Sequence, residues 1–142
     1  MRREAMVANL RSRGFEVLLA HPERSPTFQS DPGRLERLVD MGALAQVTAG
    51  SLAGRFGSVP QRAGRALLEH GLVHVLASDS HDAVRRAPDL RATGGLVDET
   101  QHAWMTETAP EAIVAGRPLP ERPPLPREGG VRARLRRAWS PR

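Results

Sequence analysis

The amino-acid sequence predicts an α/β fold with parallel strands, because helical and strand patterns alternate along most of the chain. Polar, ionisable residues also cluster directly after the strand-like stretches, and parallel sheets place their binding groups at the carboxyl ends of the strands. With 142 residues the chain is long enough for one domain with a sizeable core. It is short for a complete barrel, which needs about 200 residues or more.

The first half of the chain is predicted to contain two helices and two strands. Met1–Arg13 has apolar residues at helical spacing. Phe15–Ala20 reads as a buried strand. A second helix begins at Asp31, a favourable N-cap followed by proline, and ends at Gly42. Ala43–Thr48 is predicted as the second strand.

The second half continues the alternation. Ala49–Ser58 is predicted as a loop rich in glycine and serine, in which glycine permits close backbone approach to a ligand. The next helix ends at Gly71, and Val73–Ala77 is the third predicted strand. Further helical segments are predicted at Glu99–Met105 and Ala109–Ala115.

The body of the fold is predicted to end near Gly116, and residues 117–142 to form a disordered, Pro- and Arg-rich basic tail. Residues 1–116 contain 13 Arg and 14 acidic residues, whereas residues 117–142 contain 8 Arg and 2 acidic residues. The net charge of +5 therefore comes from the tail. A disordered spacer is the preferred interpretation, and contact with an anionic membrane or an acidic partner is the alternative.

The composition excludes several classes of function. The chain has no cysteine, so disulfides, thiolate zinc sites and cysteine nucleophiles are excluded. The body is near-neutral and the whole chain has only three Phe, two Trp and no Tyr, which argues against nucleic-acid binding. No apolar run approaches the roughly 20 residues of a membrane span, and the N-terminus lacks the apolar core of a signal peptide. A cytoplasmic protein is predicted.

Two predicted strand ends carry residues that suit a metal site. Asp79 and His81 follow the strand Val73–Ala77 and, being two apart, project to the same side. His21 directly follows the strand Phe15–Ala20. Two imidazoles and one carboxylate can bind Zn, Mn or Fe, and a bound metal lowers the pKa of its water so that hydroxide becomes available for hydrolysis. The alternative is that Asp79 caps a following helix and His81 lies in its first turn.

Other side chains near these strand ends could bind an anion. Arg24, three residues after His21, could present its planar guanidinium to a phosphate, although it could also be an ordinary surface arginine. Gln46, Ser51 and Arg86 are further candidates for phosphate binding. Two roles are open for Glu23: it could support a metal ligand, or it could form an ion pair within the loop.

Three motifs carry a family likeness. They are AHPER at Ala20–Arg24, GALAQVTAGSLAGRFG at Gly42–Gly57 and ASDSH at Ala77–His81. In combination and order they resemble the PHP-domain (polymerase and histidinol phosphatase) bacterial protein-tyrosine phosphatases of capsular and exopolysaccharide synthesis. The resemblance runs from about Arg11 to Gly116.

That resemblance implies a distorted (β/α) barrel with a multinuclear, usually manganese-dependent metal centre. The implied reaction is hydrolysis of phosphotyrosine on a tyrosine kinase of polysaccharide assembly, which would be the protein partner. By the same resemblance, His21, Asp79 and His81 would be metal ligands, and Arg24 would be the catalytic phosphate-binding arginine. Zn²⁺, Fe²⁺ and Mg²⁺ are the alternative metals.

The family's opening His-x-His strand, its Asp-Asp-Gly segment and further His and Glu ligands have no counterpart in this sequence. The chain is therefore expected to be the C-terminal half of such an enzyme, a partial barrel. Two alternatives stay open. One is another PHP phosphoesterase, acting on histidinol phosphate or a nucleotide. The other is an inactive remnant whose open sheet edge pairs with another chain, as in a homo-oligomer.

Overall fold

The computed structural model describes residues 3–84 and 88–125, and a parallel three-stranded sheet lies at their centre. The strands are β1 (Leu18–Ala20), β2 (Leu44–Thr48) and β3 (Val75–Ala77), in the spatial order β1-β2-β3. The predicted α/β fold with parallel strands is confirmed. Within the described ranges the sheet has two open edges, so the structure does not confirm a barrel.

Helices connect and follow the strands in the predicted order. They are α1 (Arg3–Ser12), α2 (Pro26–Ser30), α3 (Gly33–Asp40), α4 (Ala49–Leu52), α5 (Ser58–Glu69), α6 (Glu99–Ala103) and α7 (Ala109–Val114). Short 3₁₀ turns cover Pro22–Arg24 and Arg91–Thr93, and a π-helical segment, Trp104–Thr108, joins α6 to α7. None of the helices in the described ranges is long and apolar enough to cross a bilayer.

Two of these helices, α2 and α4, were not predicted from the sequence. α2 begins with a proline in its first turn, and α4 starts at the residue after β2. The predicted loop Ala49–Ser58 is therefore wrong over its first four residues. Helices of four and five residues are too short to show a 3.6-residue apolar period, so the sequence pattern could not reveal them.

β2 is the central strand, and its burial explains why the sheet forms. Ala45 and Val47 are fully buried and pair with Leu19 of β1 and Leu76 of β3, respectively. On the other face of β2, Leu44 and Gln46 are half-buried, so the two faces of the strand are not covered equally. The buried core around it includes Val7, Leu35, Leu38, Leu52, Leu67, Val73, Trp104, Met105 and Ala109.

Residues 117–125 pack against the body, although the sequence predicts disorder for the whole of 117–142. Leu119 contacts the core, and the Arg122 Cζ atom lies 4.7 Å from the centroid of the Trp104 ring. The prediction was based on the average composition of residues 117–142. Such an average does not reveal that single residues within the stretch make apolar or stacking contacts with the body. The remainder of the predicted tail lies outside the described residues.

His74, just before β3, is the titratable group with the clearest perturbation. Its Nδ1 accepts a hydrogen bond from the Ala45 N–H at 3.2 Å. Burial, and secondarily the positive charge of Arg122, lowers the pKa of His74 to about 4, although a backbone hydrogen bond at Leu72 acts in the opposite direction. Between the ordinary pKa of 6.5 and this value, the unfolded chain binds a proton that the folded chain does not.

Stability is therefore expected to depend on pH through His74. Its stabilising contribution is complete above about pH 6.5 and is lost as the pH falls towards 4. Urea unfolding at pH 4.5, 5.5 and 7 measures this, with His74→Gln as the comparison. The variant should lose less unfolding free energy between pH 7 and 4.5 than the wild type does, and an equal loss would contradict the assignment.

Candidate metal and phosphate site

The carboxyl edge of the sheet brings together residues that are far apart in the sequence. His21 follows β1 directly, Thr48 is the last residue of β2, and Asp79 lies two residues beyond β3. Parallel strands end at a common edge, so the loops after them converge. The Arg24 Nη1 atom lies 3.4 Å from Asp79 Oδ2, across 55 positions of sequence. This ion pair joins the loop after β1 to the loop after β3.

The backbone is strained at two of the predicted metal ligands. His21 has φ 39° and Asp79 has φ 52°, and within the described residues no other non-glycine residue has positive φ. A side chain with a Cβ atom is disfavoured in this region by roughly 1–2 kcal/mol. Such residues persist where the surrounding structure holds them and are concentrated at functional sites. At His21, the backbone N–H donates to Gln46 O at 2.8 Å, which ties the turn to β2.

His81 is exposed, and its ring is oriented by the backbone. Its Nδ1 atom lies 2.8 Å from Asp79 O. A carbonyl oxygen only accepts, so Nδ1 is the donor in this hydrogen bond, and in the neutral form of the ring Nε2 then has the free lone pair. Metal-binding histidines commonly donate their other ring N–H to a carbonyl in this way. The tautomer of His81 is therefore the one that a ligand requires.

Side chains that suit a metal lie at this edge of the sheet, but they do not form a complete coordination site. Across the described ranges, no group of three His, Asp or Glu side chains lies close enough together to hold one metal ion. Two imidazoles and a carboxylate are suitable donors for a transition metal. In the structure, however, Asp79 is paired with Arg24. His21, Asp79 and His81 thus fit as contributors of ligands and stay predictions.

Arg24 is held by two neighbours. Besides the ion pair with Asp79, its Cζ atom lies 4.6 Å from the centroid of the Phe56 ring. The Arg24 side chain is about a third exposed. A guanidinium has five N–H donors in a planar fork, so one ion pair uses only part of its capacity. Arg24 can therefore present donors to a phosphate while its position is maintained by Phe56 and Asp79.

Glu23 is fully buried and links the loop after β1 to the end of β2 and to α4. Its Oε1 accepts from the Thr48 N–H at 3.2 Å and from the Ser51 hydroxyl at 2.7 Å. Its carbonyl oxygen accepts from the Gln29 side chain at 2.8 Å. The donors to its carboxylate are neutral, which favours support of the loop over an ion pair. A glutamate between proline and arginine looks like a surface charge in the sequence, so its burial had no signal there.

The remaining phosphate-binding candidates have different surroundings. Ser51 is fully buried and donates its hydroxyl to Glu23, so it supports the loop. Gln46 lies on β2 and is half-buried. Arg86 lies outside the described residues. Their binding of phosphate stays a prediction.

Comparison with known proteins identifies similar sequences. The family model described as "Capsular polysaccharide synthesis, CpsB/CapC" matches residues 2–109. Tyrosine-protein phosphatase YwqE of Bacillus subtilis is 39% identical over 83 residues, which are 58% of this chain and 33% of that protein. Tyrosine-protein phosphatase CpsB of Streptococcus pneumoniae is 30% identical over 96 residues, which are 64% of this chain and 40% of that protein.

A solved structure is similar as well. It belongs to the crystal structures of YwqE from Bacillus subtilis and CpsB from Streptococcus pneumoniae, described as unique metal-dependent tyrosine phosphatases. The match has a TM-score of 0.74 at 30% identity and covers 91% of this chain and 54% of that one. The chain therefore spans about a third of the length of YwqE and about half of the solved structure.

Proposed function

Because the chain belongs to the CpsB/CapC family of capsular polysaccharide synthesis, we propose that it takes part in metal-dependent hydrolysis of phosphotyrosine on proteins. Membership confirms the family resemblance that the motifs indicate. The observation that carries the proposal is the meeting of Arg24 and Asp79 at 3.4 Å. It brings a phosphate-binding side chain next to a candidate metal ligand at the carboxyl edge of the sheet.

His21, Asp79 and His81 are the side chains that would contribute ligands to the metal. When bound, a metal supplies a Lewis acid for phosphoryl oxygens and a nucleophile derived from water. The similar solved proteins are described as metal-dependent, and we propose manganese, with Zn²⁺, Fe²⁺ and Mg²⁺ as alternatives.

Arg24 binds and orients the phosphate in this proposal. Its planar fork matches two phosphoryl oxygens, and the stack on Phe56 restricts the rotation of the guanidinium. Because Arg24 is already held between Phe56 and Asp79, less conformational freedom is lost when substrate binds. The neighbouring Glu23 holds the Arg24 loop in place by accepting hydrogen bonds from Thr48 and Ser51.

The proposed protein substrate is a phosphorylated tyrosine kinase of polysaccharide assembly. Tyrosine phosphorylation consumes ATP, so a cytoplasmic location is proposed together with it. Pairing with a second copy through an open sheet edge, and contact of the basic tail with an anionic membrane, are separate proposals about partners.

The proposed function is tested with the purified chain in the presence of Mn²⁺. Phosphate release is measured from a phosphotyrosine peptide, a phosphoserine peptide, histidinol phosphate and a nucleoside monophosphate. The phosphotyrosine peptide should give the highest kcat/KM. Arg24→Lys keeps the charge but removes the planar fork, so it should reduce kcat/KM. A preference for a small-molecule monoester, or no turnover of any substrate, would overturn the proposal.

A further inference from the structure

The segment of residues 117–125 has a three-residue pattern of burial. Leu119, Arg122 and Leu125 are half-buried, as is Pro123, and the other five residues are exposed. Four of the nine residues are prolines, which fix φ near about −65° and favour an extended conformation in the residue before them. A repeat of about three residues is that of the polyproline II helix. The segment therefore has the pattern of a polyproline II helix with one ridge, Leu119–Arg122–Leu125, against the body.

The side chains of this ridge contact the body at three places. Leu119 packs against the hydrophobic core. The Arg122 Cζ atom lies 4.7 Å from the centroid of the Trp104 ring, and Arg122 Nη1 donates to Gly71 O. A Cβ atom on Gly71 would come within 3.1 Å of Leu125 Cδ1, so the glycine leaves the space that this leucine uses. All three positions of the ridge are thus bound by the body.

The backbone of the segment is bound as well. The carbonyl oxygens of a polyproline II helix have no partner within the helix, so they are available to donors from another element. Gln101 of α6 supplies such a donor, since its Nε2 donates to Pro124 O at 3.2 Å and also to Pro123 O. Grooves that recognise proline-rich peptides are lined by aromatic residues, and Trp104 supplies an aromatic surface next to Gln101.

The segment fits this groove incompletely. A cavity of about 120 Å³ remains between Arg122 and the body, and its apolar lining includes Leu68, Val73, Leu96, Val97 and Met105. Within the described ranges, Arg122 Nε and Nη2 and Trp104 Nε1 are buried without a hydrogen-bond partner. Donors buried without acceptors reduce the net gain from a contact. We therefore expect the segment to be exchangeable for a competing peptide.

We propose that the groove formed by Gly71, Gln101 and Trp104 is a recognition site for proline-rich peptides with the spacing Leu-x-x-Arg-x-x-Leu. In the isolated chain its occupant is the chain's own segment 117–125, and a partner segment of the same pattern displaces it. Gly71 precedes β3, whereas Asp79 follows it, so the groove is separate from the candidate metal and phosphate site. Peptide binding here is therefore independent of the proposed phosphatase reaction.

The test is binding of a fluorescently labelled peptide of residues 117–125 to the full chain, measured by anisotropy. Leu119→Ala combined with Arg122→Ala weakens the chain's own ridge but leaves the groove intact, so this double variant should bind the peptide. The wild type should bind it about tenfold more weakly or less, because its tethered segment competes at an effective concentration in the millimolar range. Circular dichroism verifies that the variant is folded. Arg122→Ala alone, which keeps Leu119 in the core, is a milder second receiver.

Two substituted peptides form a matched pair, because they lose neighbouring charged residues on different sides of the helix. The peptide with Arg122→Ala loses a residue of the bound ridge, and binding should weaken by about tenfold, the effect of a partly desolvated cation–π contact. The peptide with Glu121→Ala loses an exposed residue, and its affinity should change by about twofold or less. No peptide binding to either variant chain, or equal weakening by the two substitutions, would show that the segment is ordinary packing and would rule the proposal out.

Discussion

Asp79→Ala is expected to remove bound metal from the purified chain. Asp79 is the one carboxylate in the proposed ligand set, and its loss leaves two exposed imidazoles to bind the ion. The affinity for Mn²⁺ should fall by more than the roughly 10- to 100-fold that follows loss of a hydrogen bond supporting a ligand. His21→Ala should have the same effect. Elemental analysis of protein grown with manganese, followed by titration of the metal-free chain, measures both changes.

Two further variants separate metal binding from folding. Asp79→Gly removes the carboxylate but relieves the backbone strain at φ 52°, so it should lose metal without losing stability. Glu36→Ala removes an exposed carboxylate on α3 and should keep wild-type metal content. If the wild type holds no metal above background, or if Asp79→Ala and His21→Ala hold as much as the wild type, the proposed ligands are wrong.

Glu23→Ala is expected to lower the free energy of unfolding by about 3 kcal/mol or more. The substitution removes Oε1, which accepts two hydrogen bonds. The Thr48 N–H and the Ser51 hydroxyl then lose this acceptor while they remain buried. Each buried donor left unsatisfied costs roughly 1–3 kcal/mol, and the cavity adds to this. Urea unfolding followed by circular dichroism measures the change.

Two matched variants test which part of Glu23 matters. Glu23→Gln keeps the shape and an acceptor oxygen, so it should be considerably less destabilising than Glu23→Ala. Ser51→Ala removes one of the two donors and should lower the unfolding free energy by about 1 kcal/mol. An unfolding free energy of Glu23→Ala within 0.5 kcal/mol of the wild type, an ordinary effect for a surface substitution, would show that the buried contacts do not stabilise the loop.

Local pattern in the sequence was enough to determine the order and type of the main elements. Each predicted strand contains an observed one, because each lies within a short stretch rich in apolar residues. The predicted burial of the first strand is wrong, since Leu18 and Ala20 of β1 are exposed and Leu19 is half-buried. Gly42 and Gly71 were predicted to end helices, and both have positive φ at those ends. The family was also readable from the sequence, since its motifs are contiguous stretches that follow strands.

Tertiary structure alone decided which polar side chains are buried and which residues meet at the site. Oε1 of the buried Glu23 accepts its hydrogen bonds from Thr48 and Ser51, which lie more than 20 positions later in the sequence. Arg24 meets Asp79 only because β1 and β3 both pair with β2. A buried polar group needs partners, and these partners come from other strands and loops. The sequence near a residue therefore specifies its backbone tendency, whereas its environment depends on the assembled sheet.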